Sequence, residues 1–299
     1  MHVDPRQLSL FLEVVRAGSF TGAAEKRNMT QPAVSMAIAQ LERALDARLL
    51  DRTRTGVTLT PAGVLVLRRA EAIESHIAAA AIEVKASQSG ISGPLIVGGT
   101  PGALLSLLPS ALRHMSAEFP NLALHIREGA DAELLELLRS GKVDVAVGTT
   151  RVDAMPPDIA EIDVCSDSFV IVSRPGRRKV GHPVALHELV DESWVLPAEG
   201  GAFRRQVDAL FLAGDFPMPR NVVRCDSLAT TKEIVRTNDY ISLLPQRVVA
   251  TEVRHGLLET IALREQPLRR WIGLRVLKQA MSSPLTAAFA SALAAQDDA

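Results

Sequence analysis

Gln31 and Ser35 lie one helical turn apart, near the start of a segment with helical periodicity. Its apolar residues Val34, Ile38 and Leu41 are spaced four and three apart, so they form one buried face that excludes the two polar side chains. Glutamine can pair with adenine through two hydrogen bonds, and serine can donate or accept one. The pair is therefore a candidate for reading base edges in DNA, and a purely structural three-helix module is the alternative.

Arginines are concentrated just after this segment. Residues 1–90 carry 11 Lys or Arg against 9 Asp or Glu, whereas the rest of the chain carries 22 against 25, so the net charge of −1 hides a weakly basic N-terminal part. Arg52 and Arg54 fall on a predicted hairpin and suit contacts with phosphates or with the minor groove. An ordinary solvated face is the alternative if charge is considered alone. The cluster consists of Arg43, Arg48, Arg52 and Arg54, with Asp46 and Asp51 among them.

The other reactive residues form no catalytic or metal-binding pattern. The sequence has no Gly-x-Ser-x-Gly elbow, P-loop or Gly-x-Gly-x-x-Gly motif, and its 7 His are scattered. His182 and His187 are close in sequence but near no cysteine, which disfavours a metal site. We interpret Cys165 and Cys225 as structural thiols, with a thiol-based sensor as the alternative. We therefore expect no enzymatic activity, no metal and no cofactor.

Length and composition define the general class of protein. A chain of 299 residues is long enough for two domains, and 47% hydrophobic with 22% charged residues is typical of a folded protein. Only 2 cysteines exclude a disulfide framework, and 4% aromatic residues disfavour a stacking surface for single strands. We see neither a long apolar run nor an export signal, so we expect a cytoplasmic protein without a membrane partner.

The first 60 residues are predicted to form short helices followed by a hairpin. Pro5 begins one helix and Gly18 ends it, and Ser19 or Thr21 can cap a second short helix. Asn28 falls where a tight turn is needed, since asparagine tolerates the left-handed conformation. Thr30 and Pro32 then begin the helix that carries Gln31 and Ser35, and two short strands from Leu49 to Leu59 follow. Two helices joined by a short turn are typical of a helix-turn-helix.

A long helix is predicted from Pro61 to about Ser87, before the Gly- and Pro-containing break at 87–94. Its apolar stripe is too long to be buried by the small domain of residues 1–60, which we call the head. We therefore expect a linker helix that dimerises, with a long core helix as the alternative. The stripe consists of Val64, Leu67, Ala70, Ile73, Ile77, Ala80 or Ala81, and Val84.

Strands and helices alternate beyond the break, which predicts parallel sheets covered by helices on both faces, in one large or two small lobes. The predicted strands are Leu95–Gly99, Leu122–Glu128, Val143–Gly148, Phe169–Ser173, Trp194–Leu196, Val222–Cys225 and Ile241–Leu244, and the predicted helices are Leu104–Glu118, Ala132–Ser140, Phe203–Ala213, Leu228–Thr237 and Pro284–Ala295.

Several motifs follow one another in a characteristic order. In the N-terminal part they are Ser19–Ala24, Thr30–Ser35, Ile38–Glu42, Leu49, Arg52-Thr53 and Leu59–Gly63; beyond the long helix they are Gly93–Gly98, Leu108-Pro109, Phe119-Pro120 and Gly141–Ala146. With these motifs the whole chain resembles LysR-type transcriptional regulators. The resemblance implies an α/β protein with an all-α-dominated N-terminal winged helix-turn-helix, a linker helix, and a two-lobed, periplasmic-binding-protein-like α/β effector domain.

The resemblance also implies which residues contact DNA. The major-groove residues are Gln31, Pro32, Ser35 and Met36, and the wing residues are Arg52 and Arg54. Departures from the family pattern are Arg27 for a buried Leu, Asp46 for a frequent Gly, Leu50 for a common Phe, and Met36 for a frequent polar residue. The change at Met36 affects the expected operator sequence more than the expectation of DNA binding.

The effector is expected to bind at the ends of the strands in the predicted effector domain. A strand runs into Thr100, Pro101 and Gly102 at a helix N-terminus, where N–H groups, a hydroxyl and the dipole can hold a carboxylate. The resemblance makes Thr100 the first candidate and a small organic anion the expected effector. Gly129, Thr149, Phe203 and Ser227 occupy corresponding positions, with turn formation and capping as the alternative for each.

These inferences combine into one organisation. We expect a DNA-binding domain at 1–60, a linker helix at 61–90 and an effector domain at 91–299, with lobe I about 91–163 and 267–299 and lobe II about 164–266. The expected partners are an imperfect palindromic operator in double-stranded DNA, the effector, a second copy or a tetramer of this chain, and RNA polymerase. The alternative is a solute-binding protein or small-molecule enzyme whose helical N-terminus does not bind DNA.

Overall fold

The computed structural model describes residues 3–53, 56–88, 92–177, 183–198, 201–213, 217–264, 269–280 and 283–295. Two compact units are present, one formed by residues 1–94 with 136–143 and the other by residues 95–135 with 144–299. The first contains helices α1 (Pro5–Ala17), α2 (Phe20–Lys26), α3 (Gln31–Leu45) and α4 (Pro61–Gln88), and strands β1 (Leu50–Thr53) and β2 (Gly56–Leu59).

Caps and turns in the head follow the sequence signals. Ser19 accepts a hydrogen bond from the Gly22 N–H, and Thr30 accepts one from the Ala33 N–H, so the second and third helices begin where predicted. Asn28 adopts φ 52°, which confirms the left-handed turn between them. Gly56 begins β2 at φ 143°, and a Cβ there would lie 2.4 Å from the Gly18 carbonyl oxygen, so the wing requires glycine at this position.

The predicted helix faces form the core of the head. Phe11, Val34, Leu41 and Leu49 are completely buried in one cluster, to which α4 adds Ala70. The head therefore covers Leu67 and Ala70 of the α4 stripe. Val64, the first residue of the stripe, is 41% exposed, and Ile73, Ile77 and Val84 are also exposed.

The second unit consists mainly of one mixed sheet and its covering helices, with residues 92–94 of the first strand and residues 136–139 of one helix assigned to the first unit. Its strands are β3 (Ser92–Gly99), β4 (Leu122–Glu128), β5 (Val145–Thr150), β6 (Ile159–Ser173), β7 (Ser193–Leu196), β8 (Asn221–Arg224), β9 (Ile241–Pro245), β10 (Glu259–Ile261) and β11 (Arg269–Leu277); its helices are α5 (Pro101–Glu118), α6 (Asp131–Arg139), α7 (Gly201–Ala213), α8 (Leu228–Thr237), α9 (Gln246–Arg254) and α10 (Pro284–Ala294), with 3-10 turns at Leu186–Leu189 and Lys278–Ala280.

The strand order is β4-β3-β5-β11-β6-β9-β7-β8, with β10 on β6. The expectation of parallel sheets is correct for β3 with β5 and for β7 with β8 and β9. It is wrong for β6 and β11, which run antiparallel to each other and to their neighbours. These two strands connect the lobes in opposite directions, and the fold is the expected two-lobed α/β domain.

Each lobe has its own core. Leu107 of α5, Ile272 of β11 and Phe289 of α10 are completely buried in one, and Trp194 and Phe211 in the other, where the Trp194 ring N–H donates to the Leu189 carbonyl at 2.7 Å. Across the described ranges, no helix is long and apolar enough to cross a membrane.

Candidate functional site

A chain of hydrogen bonds joins the third helix to the wing. The Gln31 side-chain amide donates to the Ser35 Oγ at 2.9 Å, and the Arg52 Nη2 donates to the same oxygen at 3.1 Å. The predicted DNA-contacting residues Gln31, Ser35 and Arg52 thus lie together. Because Ser35 accepts both bonds, its own O–H remains available to donate to a base or a phosphate.

The neighbouring surface is exposed and partly apolar. Pro32 is exposed, and Met36 is 63% exposed one residue after Ser35. The Arg52 guanidinium lies 4.4 Å from the centre of the Phe20 ring, a contact that restrains the arginine. Arg43 and Arg48 are also exposed, whereas Arg54 lies outside the described residues. The surface offers a flexible thioether, polar donors and positive charge to a ligand.

Arg27, where the family usually has a buried leucine, is exposed. Its Nη2 donates to the Ser9 Oγ at 2.6 Å, and its Nε lies 3.5 Å from a Glu13 oxygen. The head therefore accommodates this departure by pairing the arginine at its surface.

The second unit contains a cavity of about 400 Å³ between its two lobes. It contacts six of the seven predicted effector-site residues, namely Thr100, Pro101, Gly102, Gly129, Thr149 and Phe203. Ser227 is not in the lining: its hydroxyl accepts from the Thr230 N–H at 3.3 Å and caps α8, which is the alternative role considered for it.

The Thr100 hydroxyl does not cap the helix that follows it. Thr100 holds the N-cap position of α5, yet its hydroxyl makes no capping hydrogen bond, and the same is true of Ser283 at α10. Ser19, Thr30 and Ser227, in contrast, cap their helices. Pro101 follows Thr100 and has no N–H. The Gly102 N–H comes next and has no partner among the described residues. A hydroxyl, a free amide and the positive end of an 18-residue helix therefore face the cavity.

The wall of this cavity contains a buried ion pair that no pattern in the sequence indicates. The Arg270 Nη2 lies 3.1 Å from an Asp167 oxygen, and the two side chains are 5% and 2% exposed. Burial lowers the pKa of Arg270, and the nearby Asp167 carboxylate offsets only part of this shift. An arginine side chain nevertheless stays charged in a protein. Residues 103 positions apart give no local signal, so only the pairing of β11 with β6 could reveal this contact.

A second buried arginine, Arg275, forms hydrogen bonds to residues that line the cavity. Arg275 bonds to Asp131, to Glu161 and to the Thr149 carbonyl oxygen, at 2.7, 2.9 and 2.5 Å. Burial alone would lower the pKa of Arg275, but its hydrogen bonds to Glu161 and Asp131 raise it. Two lining residues, Asp131 and Thr149, are thereby fixed in place.

The thiols differ from each other in their surroundings. Cys165 is buried, as expected for a structural thiol, whereas half-buried Cys225 lines the cavity and its Sγ lies 3.6 Å from the Ser227 carbonyl oxygen. Both are free cysteines. In the part of the chain that the structure describes, no group of His, Cys, Asp and Glu residues could hold a metal ion.

Comparison with known proteins gives relatives over most of the chain. The HTH-type transcriptional regulator TdcA of Escherichia coli (strain K12) is 29% identical over 80% of this chain and 76% of its own length. GbpR of Azospirillum brasilense, also an HTH-type transcriptional regulator, is 28% identical over 98% of this chain and 86% of its own. The full-length structure of CbnR in complex with its target DNA shares the fold, with a TM-score of 0.68 and 23% identity over 97% of this chain and 99% of that one.

Family models account for both parts of the sequence. Residues 5–64 match the bacterial regulatory helix-turn-helix protein, lysR family, and residues 88–298 match the LysR substrate binding domain. Since the second match alone covers more than half of the chain, this protein belongs to the LysR family of transcriptional regulators and combines a helix-turn-helix DNA-binding domain with an effector-binding domain.

Proposed function

We propose that this regulator binds an imperfect palindromic operator through the Gln31, Ser35 and Arg52 surface, and that a small organic anion in the cavity controls the binding. The hydrogen-bonded chain from Gln31 through Ser35 to Arg52 carries the DNA part of the proposal. Exposed Pro32 and Met36 extend the surface, and Arg54 belongs to the same proposed set. A neighbour of the same fold, CbnR, has been solved with its target DNA, which supports this use of the head.

The uncapped Thr100 carries the effector part. A free hydroxyl and the free Gly102 amide at a helix N-terminus suit a carboxylate, and Pro101, Gly129, Thr149 and Phe203 complete the proposed site. An effector that binds between the lobes favours their closed arrangement. Coupling to DNA binding of about 1–3 kcal/mol is typical of such regulation.

We also propose that the chain works as a homodimer that can assemble into tetramers. Ile73, Ile77 and Val84 are exposed on α4 and are spaced four and seven residues apart, which places all three on core positions of a heptad pattern, as in a helix that pairs with a second copy. Two recognition helices related by a two-fold axis fit a palindrome. RNA polymerase is a further proposed partner. We also propose that the domain boundaries lie at residues 60 and 90.

A role without catalysis completes the proposal. The curated relatives are named transcriptional regulators, and the sequence has none of the common catalytic motifs. We therefore propose that this protein binds an anion as an effector and does not catalyse its conversion.

Mobility-shift titration with an operator fragment tests the effector site. We expect small organic acids to change the apparent affinity of the wild type for DNA, and Thr100→Val to need about tenfold more of the acid because a hydrogen bond to a charged group is lost. Thr251→Val, at an exposed position on α9, is the matched control and should respond like the wild type. Neutral sugars that act at lower concentrations than every acid would contradict the proposal.

A further inference from the structure

Arg270 has more hydrogen-bond donors than the protein satisfies. Its Nη2 bonds to Asp167 and, at 3.4 Å, to the Ser106 Oγ. Its Nε is buried and has no partner among the described residues. A buried donor that lacks a partner costs about 1–3 kcal/mol. The Nε is enclosed by the protein, whereas the Nη1 group, which also bonds to no described residue, is the donor that a ligand in the cavity can satisfy.

The guanidinium is close to the free end of α5. A Cβ added to Gly102 would lie 3.4 Å from the Arg270 Nη1 and 3.7 Å from the Nη2. The guanidinium therefore lies close to the first turn of the helix, where the Gly102 N–H has no partner among the described residues. Two independent kinds of donor, a charged side chain and a helix N-terminus, converge on one place in the cavity.

The rest of the lining limits what can be attached to the anionic group. Glu128 and Asp226 add exposed carboxylates, which repel a second negative charge. Leu196, Leu244 and Phe203 provide apolar surface, and the Phe203 ring is stacked on Phe169 at 5.6 Å. Arg204 also lines the cavity, but its Nε is paired with Asp208 at 2.7 Å. The cavity thus combines a place for an anion at Arg270 with walls that suit an apolar body.

We propose that Arg270 selects the effector by its charge, so that the effector is a monocarboxylate with an apolar body whose carboxylate accepts from the Arg270 guanidinium and the Gly102 amide. This inference rests on the proposed function, because it takes the cavity to be the effector site. Asp167 orients the guanidinium and offsets part of its charge, which sets the strength of the anion site.

Two variants separate charge recognition from structural support. Arg270→Gln alone leaves Asp167 buried without its charge partner, since among the described residues only the Arg247 backbone N–H still donates to it, and is expected to destabilise the protein. Asp167→Asn keeps the guanidinium and removes its counter-charge, and the double variant Arg270→Gln/Asp167→Asn removes both charges while retaining side chains that hydrogen-bond. Thermal unfolding of each variant establishes that it is folded before any titration.

The probes are benzoate and hexanoate with their primary amides, and phthalate as a dianion, each titrated calorimetrically into the full chain. We expect the wild type to bind each monocarboxylate about tenfold or more tightly than its amide, and to bind phthalate more weakly than benzoate. Asp167→Asn should bind the monocarboxylates more tightly with the amides unchanged, and the double variant should lose the preference.

The outcomes distinguish this inference from the proposed function. An equal preference for carboxylates in the wild type and the double variant would overturn the role of Arg270 and leave the effector site in place. Tighter binding of phthalate than of benzoate would overturn the monocarboxylate class. Failure of every probe to bind the wild type would overturn the inference together with the proposed anion effector, while DNA binding by the same preparation would leave the regulator function standing.

Discussion

For the side chains in the head that we propose to contact DNA, the sequence predicts some of the arrangement and only the structure shows the rest. Helical spacing predicts that Gln31 and Ser35 share a surface, because both lie off the Val34 face. It does not predict that Arg52 bonds to Ser35, since the two are 17 residues apart and meet only when the wing folds back over α3. Arg52 therefore has two roles: it carries charge, and it orients the serine.

These roles lead to different effects for two alanine substitutions. Gln31→Ala should weaken binding to the operator by about 1–3 kcal/mol and leave binding to unrelated DNA unchanged, because a base contact is lost. Arg52→Ala should weaken both and reduce the salt dependence, because a phosphate contact is lost. Mobility shifts on both DNAs at two salt concentrations measure this. An equal loss on both DNAs for Gln31→Ala would contradict its assignment to a base.

Asp46 holds a backbone conformation that suits glycine. It ends α3 at φ 49° and ψ 40°, in the left-handed region, and its side chain is exposed. Asp46→Gly should raise the free energy of unfolding of the head by about 0.5–1 kcal/mol, because a Cβ is unfavourable there. Asp51→Gly, at an exposed position in β1, is the matched control and should lower it. Calorimetric melting of the full chain compares them, and a lower melting temperature for Asp46→Gly would refute the explanation.

At the scale of elements, the sequence predicts helices and strands that form locally. Ala70 of the α4 stripe is buried in the head, whereas Ile77 is 62% exposed. Helical periodicity predicts that both lie on the apolar stripe, but it does not predict which of them the head covers. The strand β6 is longer than predicted, and β11 is not predicted at all, because both owe their form to pairing with strands far away in the sequence. The helix α9 is also not predicted, since its apolar residues Val248, Val249 and Val253 are β-branched.

Ile77 tests whether α4 mediates dimerisation. A charge at a core position of paired helices costs roughly 3–5 kcal/mol when it is buried without a partner, so Ile77→Glu should shift the chain to monomers and weaken operator binding. Ala78→Glu places the same charge on the next, exposed residue and should leave the assembly unchanged. Sedimentation velocity measures both. A dimer that persists in Ile77→Glu would exclude this face as the dimer interface.

The pair of Arg16 and Glu74 connects α1 to α4 and gives that connection a pH dependence. The hydrogen bond from Arg16, at 2.6 Å, lowers the pKa of Glu74, so its stabilising effect is present at neutral pH and is lost as the pH falls through the lowered pKa. Both side chains are over 40% exposed, which limits the effect to about 1 kcal/mol or less. Glu74→Gln should therefore be less stable than the wild type at pH 7 and equally stable in acid, in urea titrations at each pH. A difference that grows in acid would contradict this sign.

At the scale of the whole molecule, the two-lobed domain brings together residues that the sequence keeps far apart. Four βα or helix-start positions, Thr100, Gly129, Thr149 and Phe203, could be predicted for the cavity because strand ends meet at one edge of a sheet. Arg270 could not be predicted, because its proposed role depends on a partner in another strand and on its closeness to Gly102. Locally encoded positions are thus predictable, and charge pairs formed by topology are not.

The central claim is that this regulator recognises specific operators, and selection of genomic DNA fragments by the purified protein tests it most directly. Sequencing of the retained fragments should show a small set of sites that share an imperfect dyad, as expected for two recognition helices related by a two-fold axis. The Gln31→Ala variant, run in parallel, should lose enrichment of those sites while still retaining DNA at low salt. Fragments retained without any shared motif, with and without added organic acids, would contradict the claim.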